Sequence, residues 1–140
     1  IASNFIGKSG YLTWPQIKEM DASGFSFGSH TLSHRYLPDL SDEEQKWEIS
    51  MSKEVIESHL GHPINNFCYR TGGFNDSIKE QVRKAGYRSA CTTNRGYNRL
   101  NHDVYELKRI RFSNSDKTPL ILWVKLSGYY NLFRKPVNPN

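Results

Sequence analysis

Apolar and polar positions follow two periods along this chain, and the switches between them predict its elements. Leu12 to Met20 opens a helix with Thr13 as N-cap and Pro15 in the first turn. Gly24 stops it. Phe25-Ser26-Phe27-Gly28 alternates with a period of two, the mark of a short strand. After a polar loop with Pro38, Ser41-Asp42-Glu43-Glu44 is a capping-box start for a helix running to about His59. Its residues Trp47, Met51, Val55, Ile56 and Leu60 recur at helical spacing and predict one buried stripe. Gly61 and Pro63 end that helix, and Asn66 to Tyr69 reads as a strand. Asp76 to Ala85 is a second capped helix, closed by Gly86, and Tyr87 to Thr92 is the next strand. Tyr105 to Phe112 alternates and predicts a fourth. Pro119 starts a short helix, and Leu120, Ile121, Leu122, Trp123, Val124 and Leu126 predict that it packs on the domain. Pro136 and Pro139 mark a frayed tail over about 128–140.

Helices and strands in alternation predict an α/β fold with parallel strands and right-handed crossovers. The connection lengths suit a barrel or an open sheet equally. In both, chemistry gathers at the C-terminal strand ends. At 140 residues the chain is expected to form a single domain, burying roughly 68–70% of its unfolded surface. Its longest uninterrupted apolar run, Leu120 to Val124, is far short of the ~20 residues of a membrane span.

Charge changes the picture only slightly. The 19 Lys and Arg against 14 Asp and Glu leave a net +5, with eight basic residues between Arg83 and Arg111. A solvated basic surface accounts for this, and no zinc-finger spacing or RNP-like aromatic motif supports nucleic-acid binding. The two cysteines, Cys68 and Cys91, fall in apolar, strand-like runs and are expected as buried free thiols. Ile1-Ala2-Ser3-Asn4 has no initiator Met, basic n-region or apolar h-region. It reads as the start of a piece cut from a longer protein, which leaves localisation open.

Two segments carry candidate chemistry, each just after a predicted strand. In Ser29-His30-Thr31-Leu32-Ser33-His34 the imidazoles stand at i and i+4, which bring them together if the segment turns helically. That spacing suits two ligands of one divalent metal, with Ser29, Thr31 and Ser33 orienting the rings. Capped loop histidines are the plainer alternative. In Phe67-Cys68-Tyr69-Arg70-Thr71-Gly72-Gly73-Phe74-Asn75, Arg70 could clamp a carboxylate, while Gly72 and Gly73 let backbone N–H groups approach a substrate oxygen. A glycine turn with a surface arginine is the alternative. His59 and His62 flank a helix end and are expected to meet its terminal carbonyls, His102 to be solvated, and Trp14, Trp47 and Trp123 to pack in the core.

SHTLSH after GFSFG, preceded by YLTWPQIKEMDASG and followed by YLPDLSDEEQKWEISMSKEVIESHLG, resembles the NodB-homology polysaccharide deacetylases of carbohydrate esterase family four. The YRTGGFND loop and KAGYRSACTTNRGYN follow in family order, so the resemblance covers about Ile1 to Phe112. It implies a partial distorted (β/α) barrel that hydrolyses N- or O-acetyl groups on a carbohydrate polymer with a divalent metal, zinc being the expected one. His30 and His34 are then the two His ligands and Arg70 the orienting arginine, although an ungapped alignment puts Cys68 where the family has its arginine. The family's T-F-D-D-G motif, with its general base and third metal ligand, has no match here. Neither does its general-acid His, near whose place stands Leu107-Lys108-Arg109-Ile110-Arg111. The resemblance thus implies the C-terminal larger part of a deacetylase domain. The alternative is a non-catalytic carbohydrate- or metal-binding module, and an exposed sheet edge could pair two copies.

Overall fold

The computed structural model describes residues 1–95, 103–110, 112–114 and 116–127. Four helices, α1 (Trp14–Ala22), α2 (Asp42–Leu60), α3 (Asp76–Lys84) and α4 (Pro119–Leu126), accompany the strands β1 (Asn66–Cys68), β2 (Ser89–Arg95) and β3 (Leu107–Arg109). The strands form one sheet in the order β1-β2-β3, parallel throughout, with Cys68 opposite Cys91 and Cys91 opposite Leu107. The α/β fold with parallel strands is as the sequence predicts.

The helix starts are local chemistry. The Thr13 N–H donates to Gln16 Oε1 at 2.8 Å, and the Ser41 N–H to Glu44 Oε2 at 3.0 Å, each satisfying an N-terminal amide that the helix ladder leaves free. Asn75 Oδ1 accepts from the Ile78 N–H at 2.8 Å to begin α3. Gly61 closes α2 in the left-handed region at φ 78°, a conformation glycine adopts without a Cβ penalty.

The core lies between the sheet and the pair α2 and α3. Ile49 and Ile56 of α2, Ile78 and Val82 of α3, and Phe67, Tyr69 and Ala90 of the sheet are each at most 1% exposed. Side chains alternate along a strand. Residues 67, 69, 90 and 92 are therefore buried under the helices, and Cys68 and Cys91 share the opposite, half-buried face. Both cysteines are free thiols.

Several expectations are corrected. Phe25 to Gly28 is not a strand: only Ser29 makes a parallel bridge, to Phe67, and Phe25 is exposed because no ladder partner covers it. The buried face of α2 is Gln45, Glu48, Ile49, Ser52 and Ile56, with Trp47 on the solvent side. Its polar members are held by hydrogen bonds, such as Gln45 Nε2 to the carbonyls of Leu37 (3.1 Å) and Leu40 (2.9 Å), so hydrophobicity alone misplaces the stripe.

Helix α4 reverses its expected packing. Leu120 is 69% and Trp123 59% exposed, while the charged residue turns inward: Lys125 Nζ lies 2.6 Å from Asp116 Oδ2 and 5.7 Å from the Phe112 ring centroid. Of the tryptophans only Trp14 packs against the core, its ring stacked 3.7 Å from the His59 ring. His59 Nδ1 meets the α2 carbonyl of Val55 at 2.8 Å, but His62 Nε2 pairs with the side chain of Asp21, in the last turn of α1, at 2.7 Å and not with the terminal carbonyls of α2. No helix among the described residues is long and apolar enough to cross a membrane. His102, Pro136, Pro139 and the 128–140 tail lie outside the described residues.

Candidate functional site

The loop that follows the Ser29 bridge is pinned from both sides. The Ser29 N–H donates to Asn66 O and the Cys68 N–H to Ser29 O, both at 2.9 Å, which tie it to β1. On its other side the His30 N–H donates to Ile1 O at 2.8 Å and the Asn4 N–H to Leu32 O at 2.9 Å. Between these anchors the chain does not turn as a helix. Thr31 at φ 66° and His34 at φ 63° both sit in the left-handed region. For a β-branched threonine this is a strained conformation, of the kind that surrounding structure must enforce and that concentrates at functional sites. Thr71 at φ 49°, in the second candidate loop, completes the set of non-glycine residues with positive φ among the described residues.

Those backbone reversals bring the two imidazoles together. His30 Nε2 and His34 Nε2 are 3.1 Å apart, with ring centroids 4.8 Å apart at 65°. His30 Nδ1 lies 2.6 Å from Cys68 O. A carbonyl can only accept, so this contact places the His30 proton on Nδ1 and leaves the Nε2 lone pair facing its partner. Two imidazoles bound to one tetrahedral zinc at about 2.0–2.1 Å have their nitrogens about 3.3 Å apart. The observed spacing and tautomer fit such an ion. Burial, first of all, holds both histidines below the ordinary imidazole range. For His30 the Cys68 carbonyl opposes this, and for His34 the charge of Arg70 adds to it. Both rings therefore favour the neutral form that a metal requires. Among the described residues no group of three His, Cys, Asp or Glu side chains completes a metal set.

The hydroxyls of the motif do not orient the rings. Ser29 Oγ donates to Ser52 Oγ at 2.6 Å, and Ser33 directs both its N–H (2.9 Å) and its Oγ to the carboxylate of Glu48. Thr31 Oγ1 is buried with no hydrogen-bond partner. Glu48, a buried carboxylate on the core face of α2, is thus the brace of the His loop. The signal that could have found it is an acidic residue one position before Ile49 on the buried stripe.

The second loop follows β1 as a 3₁₀ turn, Arg70–Gly72. Its amides are already engaged: the Gly72 N–H donates to Tyr69 O at 3.3 Å and the Gly73 N–H to Arg70 O at 3.1 Å. The glycines serve packing instead. At Gly73 a Cβ would fall inside the Tyr36 ring; at Gly72, φ 80°, it would collide with the Thr92 and Thr93 hydroxyls. Arg70 begins this turn with its Nε buried and without a hydrogen-bond partner. Position 68 offers no arginine, but Arg109 of β3 lies against it, its Nη2 donating to Cys68 Sγ and its Nε to Thr92 O at 3.2 Å. Sequence reading passed over Arg109, whose place on the Cys68 face of the sheet follows only from the strand register. The His pair also borders a cleft of about 350 Å³ with apolar walls that include Phe5, Ile6, Tyr11 and Leu12.

Known proteins share this arrangement of elements. The sequence profile of the polysaccharide deacetylases matches residues 1–90. The Bacillus subtilis protein YxkH, named as a candidate polysaccharide deacetylase, is 32% identical over 108 residues, covering 77% of this chain and 39% of that protein. The Streptococcus pyogenes deacetylase PplD, solved in complex with acetate, superposes with a TM-score of 0.82 at 28% identity, over 89% of this chain and 55% of its own. A polysaccharide deacetylase from Bacillus cereus, BC0361, gives a TM-score of 0.72 at 31% identity over 79% of this chain and 35% of its own. The chain spans well under two thirds of each of these relatives. The neighbours are NodB-type deacetylases with a (β/α) barrel fold, of which the three parallel strands form part.

Proposed function

Because this chain belongs to the polysaccharide deacetylase family, we propose that it forms part of a metal-dependent deacetylase domain that removes acetyl groups from a carbohydrate polymer. The convergence of His30 Nε2 and His34 Nε2 at 3.1 Å carries the reading. His30 and His34 would hold a divalent ion, zinc best matching two imidazole donors. Such an ion, when bound, lowers the pKa of a bound water and polarises a carbonyl. Catalytic zinc sites use three protein ligands, and among the described residues no third His, Cys, Asp or Glu side chain joins the pair.

The chain's own residues prepare that site. Cys68 O fixes the His30 tautomer, and Glu48, through Ser33, holds the loop that presents His34. Arg70 adds positive charge beside His34 and orients the substrate acyl group as a directed donor. The apolar wall beside the imidazoles suits the acetyl methyl group. Hydrolysis of an acetyl amide or ester leaves acetate and a free amine or hydroxyl on the sugar.

The test is acetate release from acetylated chitooligosaccharides by the protein that carries this domain, with and without added zinc. The expected result is zinc-dependent release that His30→Ala lowers by at least about 10²-fold, the scale of losing a catalytic group. Release that survives His30→Ala and chelation would overturn the proposal.

A further inference from the structure

The chain has two cysteines, and the fold sets them against each other. Cys68 of β1 and Cys91 of β2 are register partners in the parallel ladder. The register is fixed beside them, where the Tyr69 N–H donates to Cys91 O at 3.0 Å. Neighbouring strands run about 4.8 Å apart, inside the range of about 4.4–6.8 Å that a disulfide spans between its Cα atoms. Register partners project to the same face, so the sheet itself does not separate the two sulfurs. Both are free thiols and half-buried, enclosed by packing yet within reach of a small reagent. Arg109 supplies a second observation. Its Nε is anchored on Thr92 O, one residue past Cys91, at 3.2 Å, and its Nη2 donates to Cys68 Sγ. With the strand order β1-β2-β3, a side chain from β3 reaches β1 by crossing β2. The Cys68 sulfur therefore leans toward the strand that carries Cys91.

We propose that Cys68 and Cys91 are a disulfide-forming pair, a modification site that a low-molecular-weight disulfide oxidises. One cysteine sulfur attacks the small disulfide, which gives a mixed disulfide and releases one small thiol. The other cysteine sulfur then displaces the second small thiol and closes the Sγ–Sγ bond. Both cysteine protons end on the two small thiols. The cysteine pair loses two electrons and the small disulfide gains them, so excess small thiol runs the exchange backwards. Closure staples β1 to β2, and β1 is the strand whose Cys68 carbonyl holds His30 Nδ1 at 2.6 Å.

Equilibration of the chain in graded mixtures of glutathione and glutathione disulfide tests this, with acid quench, alkylation and peptide mass mapping as the readout. The expected product is a monomer lighter by two hydrogens, with a linked Cys68–Cys91 peptide and no alkylated thiol. Cys68→Ser and Cys91→Ser should each stop at a mixed disulfide with glutathione. The same titration in urea measures closure in the unfolded chain. Folding should raise the closure constant at least about tenfold, because the register removes the loop-closure entropy, less what the side-by-side Cβ atoms give back as strain. A wild type whose thiols both stay alkylatable overturns the proposal. So does one that carries glutathione without closing, or that links between chains. A closure constant no larger in the folded chain than in urea overturns it too, since the register would then bring nothing together.

Discussion

Phe67 and Cys68 are neighbours in β1, yet they belong to two different surfaces. Phe67 is 1% exposed, with its ring centroid 5.1 Å from that of Tyr87 and 5.4 Å from that of Tyr69. Cys68 turns to the opposite face, where it meets Arg109 with its side chain and His30 with its carbonyl. The helix-covered face is filled mostly by aliphatic and aromatic side chains, whose burial stabilises the fold beside the polar residues of α2 that hydrogen bonds hold there. The Cys68 face and the loops beside it hold the directed groups: two imidazoles, two arginines and all the non-glycine residues with positive φ among those described. Stability and chemistry are thus divided between the two sides of one sheet, and the period of two along each strand makes the division.

The largest effect that would break this comparison is loss of its buried side. Phe67→Ala is expected to cost about 3–5 kcal/mol, through lost burial and the cavity left behind. Cys68→Ala, one position along, should cost less than about 1 kcal/mol, because its site is only half enclosed. Urea denaturation of both variants checks the pair. Equal costs would mean that the two faces do not differ.

A smaller effect separates the histidines by sign. Hydrogen bonding to Asp21 raises the pKa of the exposed His62, so its contribution to stability is fully present below the unfolded value of ~6.5 and is lost as pH rises through the folded value. Burial lowers that of His30, so its contribution is present above ~6.5 and is lost as pH falls through the folded value. His62→Gln should therefore lower the urea midpoint at pH 5.5 and leave it nearly unchanged at pH 8.5. A loss of the same size at both pH values would show that the Asp21 contact acts without its charge.

Much of this was legible in the sequence where chemistry is local. Thr13 with Gln16, Ser41 with Glu44 and the glycine after α2 mark helix ends through bonds made within a few residues, and these signals placed α1 and α2 to within about a residue. The face of α2 was not legible. Gln45, Glu48 and Ser52 are polar residues buried on hydrogen bonds to distant segments, so a hydrophobic period points instead to Trp47. The inversion of α4 has the same origin, since its buried residue is the lysine that finds Asp116. At the site, the spacing of His30 and His34 was visible, but the means of bringing them together was not. Two left-handed residues do it, enforced by pairing to β1 and to residues 1–4. Arg109 is 39 positions beyond Arg70 in sequence, and only the β1-β2-β3 register brings it to Cys68.

The central claim is that His30 and His34 form one metal-binding pair. Calorimetric titration of zinc into the chain at pH 7.5, against the His30→Ala, His34→Ala double variant, tests it most directly. One zinc per chain is expected in the wild type, bound at least about tenfold more tightly than in the variant. Because burial holds both imidazoles neutral to below their ordinary range, binding should weaken only once pH falls below ~6.5. Equal zinc affinity in the wild type and the double variant would contradict the account.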